Sequence, residues 1–294
     1  VFDATGWLLV GVIQIAVMLT VIGPLQRWHP VEPMRDMRAV RTDVIYTLIH
    51  RLGLFRVVLF LSVEPVMDTL LGELRVQGVG TFHLENLWPG VTDGPWASFL
   101  IYLVVFDFVN YWLHRAQHQW HWWWALHAVH HSQRQMTQWT DNRNHVLDDV
   151  IVAVVWVLIA QLIGIAPSQF VAVVALTQLF ENFQHANLRV SFGTWGERLW
   201  VSPRFHRVHH AIGLGHESQP PDTRTAVVLG GHNFGVLLPW WDVWFGTANF
   251  DAHFEPTGIR DQVEEGRDYG EGFWSQQYLG IKRFIAAVRT SSSP

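Results

Sequence analysis

The sequence predicts an all-α integral membrane protein: a helical bundle with about four to five embedded helices, closed on one side by a cytoplasmic helical cap. Three observations predict it. Hydrophobic residues make up 49% of the 294 residues and charged residues only 15%, with a mean hydropathy of +0.13. Five apolar stretches of helix length occupy the first two thirds of the chain. Trp occurs 17 times, as expected where amphipathic rings sit at membrane interfaces. Residues 1–294 read as one membrane-embedded domain, with N-terminal spans over 1–95, a histidine-rich core over 96–250 and a C-terminal cap over 251–294.

The first stretch, Trp7 to Leu25, is uninterrupted and ends at Gly23-Pro24. It lacks the basic flank and small-residue cleavage site of a signal peptide, so it reads as a span. Val44 to Leu71 is longer but weaker, because Arg51, Arg56, Glu64 and Asp68 interrupt it. Trp96 to Leu113 carries one internal carboxylate, Asp107. Val150 to Ala166 and Ser168 to Phe183 are separated only by Pro167, which predicts a tight helical hairpin. Beyond Gln184 only the short Tyr278–Val288 segment is apolar, which predicts a polar-faced cap. If the spans alternate in direction, every Lys and Arg except Arg75 falls on one side or within the weak second stretch. The positive-inside rule makes that side cytoplasmic.

The chain contains no Cys, which excludes disulfides, thiolate catalysis, Cys-type zinc sites and iron–sulfur clusters. A net charge of −5 offers no basic patch for nucleic acid. The anomaly is 17 histidines. Their pattern is His114-x3-His118, then His127-x2-His130-His131, a lone His185, and His206-x2-His209-His210. On a helix, positions i, i+3 and i+4 share a face, so each cluster aims two or three imidazoles together. Neutral imidazole binds iron, zinc, copper and nickel. These nine are too many for one ion and suit two metals. At this His content, chance supplies roughly 0.06 copies of His-x-x-His-His per chain. Two copies on one predicted membrane face therefore argue against decoration of a surface or a core.

A metal-bound imidazole gives its other N–H to a carboxylate or carbonyl. Asp107, seven residues before His114, and Glu181, four before His185, are placed for that role by helical spacing. Either could equally pair with an Arg or cap a neighbouring helix. His29, His50, His83, His121, His216 and His253 read as surface, interfacial or structural histidines.

At this point the sequence resembles the fatty acid hydroxylase / sterol desaturase superfamily of membrane enzymes, in what looks like a bacterial member. The resemblance rests on Asp107-Phe-Val-Asn-Tyr-Trp-Leu-His114-Arg-Ala-Gln-His118 and Leu126-His127-Ala-Val-His130-His131-Ser132. It continues through Asn182-Phe-Gln-His185-Ala-Asn187 and Ser202-Pro-Arg-Phe-His206-Arg-Val-His209-His210. His232-Asn233-Phe234-Gly235 and Trp241-Asp242-Val-Trp-Phe245-Gly246-Thr247 complete it. The resemblance implies a helical membrane bundle with a cytoplasmic histidine cap around a di-metal centre of two Fe ions. Purified protein could carry Zn in the same imidazoles, because zinc binds such sites more tightly than iron(II). It implies O2-dependent hydroxylation, desaturation or methyl oxidation of a lipid. His145, in Arg143-Asn-His145-Val, resembles the family's Arg-x-His-Pro stretch, although Val146 replaces the proline. His145, His232 and Asn233 are expected to be metal-adjacent rather than ligands.

Breaking an unactivated C–H bond requires the metal to carry the chemistry. The chain has no glycine-rich dinucleotide fingerprint and no His-Pro-Gly-Gly of a fused cytochrome b5. A separate electron donor (a ferredoxin, a cytochrome b5-like protein or a reductase) is expected, with a long apolar substrate entering from the bilayer. The expected location is a bacterial inner membrane rather than endoplasmic reticulum. A zinc hydrolase lacks support because Arg115 and Ala116 stand where His-Glu-x-x-His would place its Glu. A metal transporter would hold its ligands at mid-membrane between inverted repeats, and no internal repeat is found.

Overall fold

The structure, a computed structural model, describes residues 4–213 and 230–291. It is helical throughout, with no strand among the described residues beyond one isolated bridge between Ala211 and Thr257. The first helix is continuous but changes pitch. α1 (Ala4–Val17) passes through a π-helical turn, Met18–Ile22, into α2 (Gly23–Trp28). Then follow α3 (Met37–Arg51), α4 (Leu54–Ser62) and α5 (Glu64–Val76). Two long helices carry the first motifs: α6 (Pro95–Gln119) and the shorter α7 (His121–His131). α8 (Val146–Ile163) and α9 (Pro167–His185) form the expected hairpin. Gly164, in the left-handed region at φ 68°, ends α8, and Pro167 opens α9 where a missing N–H costs nothing.

The remaining helices are short: α10 (Gly193–Gly196), α11 (Pro203–His209), α12 (Trp240–Trp244) and α13 (Arg260–Glu264). The chain closes with the amphipathic α14 (Phe273–Ser291), which packs along α7.

Among the described residues, three helices are long and apolar enough to cross a membrane: Gly6–Trp28, Pro95–Gln119 and Val146–Ile163, with mean hydropathies of 2.4, 1.5 and 2.3. A fourth span arises if α3 and α4 act as one, bent by 51°. The bend has a local cause. Gly53, at φ 87°, ends α3 in a left-handed turn inside what the sequence presents as one weak stretch. α9 is the expected helix, but it does not reach the apolarity of the three spans. Gln178, Glu181, Asn182 and Gln184 fill its second half, where it turns inward to the histidines. α8 does the opposite: only 6% of its apolar window is buried within the protein, so lipid is the medium that suits it.

Two close approaches fix the bundle. Gly11 on α1 rests against the Arg51 carbonyl of α3 so tightly that any Cβ there would overlap it. Tyr102, Leu103 and Phe106 of α6 and Val173 of α9 pack with Val236, Leu237 and Leu238 in one core cluster. That cluster ties the segment beneath α12 to the membrane helices.

A buried ion pair joins α3 to the loop after α7. Arg143 Nη1 lies 2.7 Å from Asp43 Oδ1, with side-chain exposures of only 5% and 0%. Gln133 and Thr140 donate to the other carboxylate oxygen, and Arg143 Nε donates to the Val129 carbonyl. Removing one partner strands the other charge in a low-dielectric interior. Asp43→Ala is therefore expected to cost about 3–5 kcal/mol in denaturant unfolding in detergent. Arg38→Ala, which breaks the exposed pair to Glu271, is expected to change stability by less than about 1 kcal/mol.

Candidate metal centre

Four helix ends converge on one buried volume. α6 delivers His114 and His118 from its last two turns, α7 delivers His127, His130 and His131, and α9 ends on His185. α11 delivers His206 and His209, with His210 at its C-cap. The aim of α11 is set at its start: Pro203 takes the first helical position, and the Ser202 hydroxyl accepts from the Phe205 N–H.

The nine imidazoles sort into two groups, within each of which the ligand atoms lie within 4.8 Å of one another. One holds His114, His118, His127, His131 and His209; the other holds His130, His185, His206 and His210. The sorting follows helical phase. In each His-x-x-His-His cluster, the i, i+4 pair faces one group and the i+3 imidazole crosses to the other. His127 and His131 go one way and His130 the other; His206 and His210 go one way and His209 the other. The groups touch through the rings of His131 and His210, stacked at 4.3 Å.

Within the groups, nitrogens point at each other. His185 Nε2 lies 3.0 Å from His130 Nε2 and 2.9 Å from His206 Nε2; His209 Nε2 lies 3.2 Å from His131 Nε2. Nitrogens bound to one ion at about 2.0–2.1 Å and at right angles stand about this far apart. Four of the outer nitrogens are held by protein acceptors. His114 Nδ1 donates to the Phe234 carbonyl (3.0 Å), His127 Nδ1 to Asp148 (3.1 Å), His185 Nδ1 to the Glu181 carbonyl (2.7 Å) and His209 Nδ1 to the His232 carbonyl (2.8 Å). Each such bond fixes the tautomer whose Nε2 lone pair faces inward.

The arrangement fits a metal on two counts. His127 Nε2 and both nitrogens of His210 are buried without a hydrogen-bond partner, which is costly unless an ion engages them. Burial first, and neighbouring imidazoles second, push His130, His131, His206, His209 and His210 well below the usual imidazole range. These rings are neutral at physiological pH, the form that coordinates.

The outer support differs from the helical-spacing expectation. Asp107 does not touch His114. It accepts from the N–H groups of Leu237 and Leu238 (2.7 and 3.1 Å) and from Trp241 Nε1 (2.8 Å). Asp242 accepts from the N–H groups of Phe234 and Gly235 (2.8 and 2.7 Å), and burial raises its carboxyl to about 6. Two buried carboxylates thus grip segment 234–238, and main-chain carbonyls of residues 232 and 234 hold His209 and His114. Glu181 likewise supports His185 through its backbone carbonyl, not its carboxylate.

His232 contributes its carbonyl, and its ring stands outside both groups. Asn233 sits in the left-handed region at φ 63°. Its amide bonds Phe205 and Asn249, which sets the turn that aims the His232 carbonyl. His145 belongs to neither group: it caps α8 through Leu147 N and donates from Nε2 to the Gln277 carbonyl, clamping α14. Residue proximity in sequence suggested the carboxylates of Asp107 and Glu181 as partners; the chain uses the peptide carbonyl of Phe234 for His114 and that of Glu181 itself for His185.

Sequence reasoning missed Asp148, which accepts from His127, Gln117 (2.8 Å) and Trp123 (2.6 Å). The only signal was an acidic pair, Asp148-Asp149, three residues after His145, and it reads equally as a favourable helix N-terminus. It also missed Asp141, whose carboxylate stands 3.9 Å from His185 Nδ1 and 3.1 Å from Arg51. Of the other histidines, His50 lies against Asp149, while His83 and His253 face Glu85 and Asp251 at the surface. His216 lies outside the described residues.

A helical membrane protein with two adjoining groups of buried neutral imidazoles is a class that comparison with known proteins makes specific. The fatty acid hydroxylase family model matches residues 99–247, and the chain belongs to that family. It is 30% identical over 176 residues to human alkylglycerol monooxygenase, covering 59% of this chain and 34% of the relative. It is 24% identical over 253 residues to the ornithine lipid hydroxylase OlsE of Rhizobium tropici, covering 84% of this chain and 70% of the relative. It is also 24% identical over 220 residues to a Delta(7)-sterol-C5(6)-desaturase of Nicotiana tabacum, covering 70% and 69%. The matched region spans about a third of the length of the alkylglycerol monooxygenases. No solved structure is matched.

Gly235 leaves no room for a side chain: a Cβ would stand 2.7 Å from both Asp242 Oδ2 and the Leu238 carbonyl. Gly235→Ala is therefore expected to displace the turn that holds His114 and His209. Asp148→Ala removes the acceptor of one ring, His127, together with that of Gln117 and Trp123. Both variants are expected to weaken metal affinity by about 10–100-fold, read by competition with a chromogenic chelator. Unchanged affinity in both would show that these contacts do not support the centre.

Proposed function

We propose that the chain is an O2-dependent di-iron hydroxylase of a membrane lipid, each histidine group holding one iron ion. The observation that carries this reading is the division of nine imidazoles into adjoining groups of five and four. When bound, the iron pair supplies O2 reduction and C–H oxidation: substrate C–H, O2, two electrons and two protons give an alcohol and water. The electrons come from a separate donor protein, a ferredoxin, a cytochrome b5-like protein or a reductase. The relatives support the reaction class, since their names describe a monooxygenase, a lipid hydroxylase and sterol desaturases.

The chain's own residues do the positioning. Phe234, His232 and Glu181 hold three rings through peptide carbonyls, and Asp148 holds a fourth, so the inward nitrogens need no reorganisation to receive an ion. The burial of all nine rings but His114 below a tenth exposed keeps bulk water from the centre. A cavity of about 140 Å³ meets both groups, touching His114 and His127 of one and His130, His185 and His206 of the other. A substrate carbon placed there is reachable from either metal site. The asymmetry of Lys and Arg supports a histidine side facing the cytoplasm, and the similarity to a hydroxylase of Rhizobium tropici supports a bacterial inner membrane.

Metal analysis of protein isolated from iron-supplemented cells tests the centre, with zinc measured alongside because it competes for imidazole sites. The wild type is expected to carry two ions per chain, and His130→Ala and His209→Ala to lose one each, from different groups. Lipid mass spectrometry of the expressing cells tests the reaction. A product heavier by one oxygen, present with wild type and absent with the double variant, is expected; loss of two hydrogens instead would make the protein a desaturase. Metal-free wild-type protein would contradict the reading.

A further inference from the structure

The small cavity at the histidines joins a second cavity of about 460 Å³ enclosed by α1, α4, α5, α8 and α9. The two share Asn110, Asp141, Asn144, Asp149, Val152 and Glu181 as walls. These residues form a neck between an outer chamber and the centre, and five of the six are polar. The smaller chamber compares with a cavity of about 150 Å³ that holds one benzene ring. It admits a slender segment and excludes a fused ring system.

The neck presents hydrogen-bonding groups that the protein itself leaves unused. The Glu181 carboxylate makes no hydrogen bond among the described residues, although its backbone carbonyl holds His185. Asp149 Oδ2 is buried without a hydrogen-bond partner; His50 Nε2 stands 3.3 Å away, outside hydrogen-bond geometry. Beside the neck, on the wall of the outer chamber, Arg51 spends Nη2 on Asp141 and Asn182. An alkyl chain lying in the neck would leave the Glu181 and Asp149 carboxylates unsatisfied. A group that donates a hydrogen bond satisfies the carboxylates, and the inner chamber continues the same polarity through Gln117, Asp148 and Gln184. The outer chamber adds apolar wall from Val10, Leu59, Val63, Met67, Trp156 and Phe170.

Resting on the hydroxylase reading above, we propose that the neck selects an amphiphile that enters head first. Its hydroxyl or ammonium group docks on Glu181 and Asp149, and its apolar tail occupies the outer chamber. Oxidation then falls on a carbon close to the head, not at the far end of the tail. Glu181 and Asp149 are the specificity-determining residues, and a fused-ring sterol is excluded from the centre.

Equilibrium binding of radiolabelled 1-hexadecanol, hexadecylamine and hexadecane to the iron-loaded chain in detergent tests this without turnover. A protein that binds ligand but oxidises nothing would overturn the hydroxylase reading and leave the neck assignment standing. At least one polar probe is expected to bind at least about tenfold more tightly than hexadecane, because the neck's polar groups go unpaired with the alkane; which one does so names the head. Glu181→Leu is expected to abolish that preference. Glu181→Gln is expected to retain the alcohol and to lose the amine, since an amide oxygen still accepts but carries no charge. Metal content, read on the same samples, is expected to be unchanged in both variants. Equal binding of all three probes by the wild type would overturn the assignment. So would an undiminished preference in Glu181→Leu, or loss of metal together with affinity, which would make Glu181 a support of His185 instead.

Discussion

Nine imidazoles in ring contact can share a buried volume only if they stay uncharged, and that constraint organises the protein around them. Each ring then has one nitrogen to offer inward and one that must be satisfied outward. For four of the nine rings the fold itself supplies that outward partner. Three of the four resolved partners are peptide carbonyls, from His232, Phe234 and Glu181, and the fourth is Asp148. A carbonyl accepts a hydrogen bond without bringing a full negative charge. The rings are thus oriented with little negative charge added to the site.

The cost of this solution is carried one layer out. A loop that spends its carbonyls on histidines must have its N–H groups engaged elsewhere, or they are buried unpaired. Asp107 and Asp242 take four of them between residues 234 and 238. The left-handed Asn233 and the side-chain-free Gly235 give the loop the curvature to face both ways. Asp107 lies within an apolar span for that reason: it anchors a cap loop to the membrane helix that also carries His114 and His118. The membrane bundle is therefore a rigid wall for the centre as well as an anchor in lipid.

Much of this was legible in the sequence, and the failures share a cause. The all-helical class, the hairpin at Pro167, the polar cap and the convergence of the nine patterned histidines follow from hydropathy and i, i+4 spacing, which act over one or two turns. The break at Gly53 was hidden because a glycine within an apolar run signals no bend until its φ is known. Asp107 and Glu181 were assigned by helical distance to the nearest histidine, yet their contacts depend on which distant loop packs against them. Asp148 and Asp141 were overlooked for the same reason. Their partners lie 21 and 44 residues away in sequence, at His127 and His185. Periodicity reports which face a residue occupies, and only tertiary packing reports what lies opposite.

The central claim is that two ions sit in separate, all-imidazole environments, and iron-edge X-ray absorption of the iron-reconstituted protein addresses it most directly. Groups of five and four histidines predict a first shell dominated by imidazole nitrogen, averaging four to five per iron, with the outer-shell scattering that rigid rings produce. A shell dominated by carboxylate oxygen, with one or two imidazoles per iron, would contradict the account.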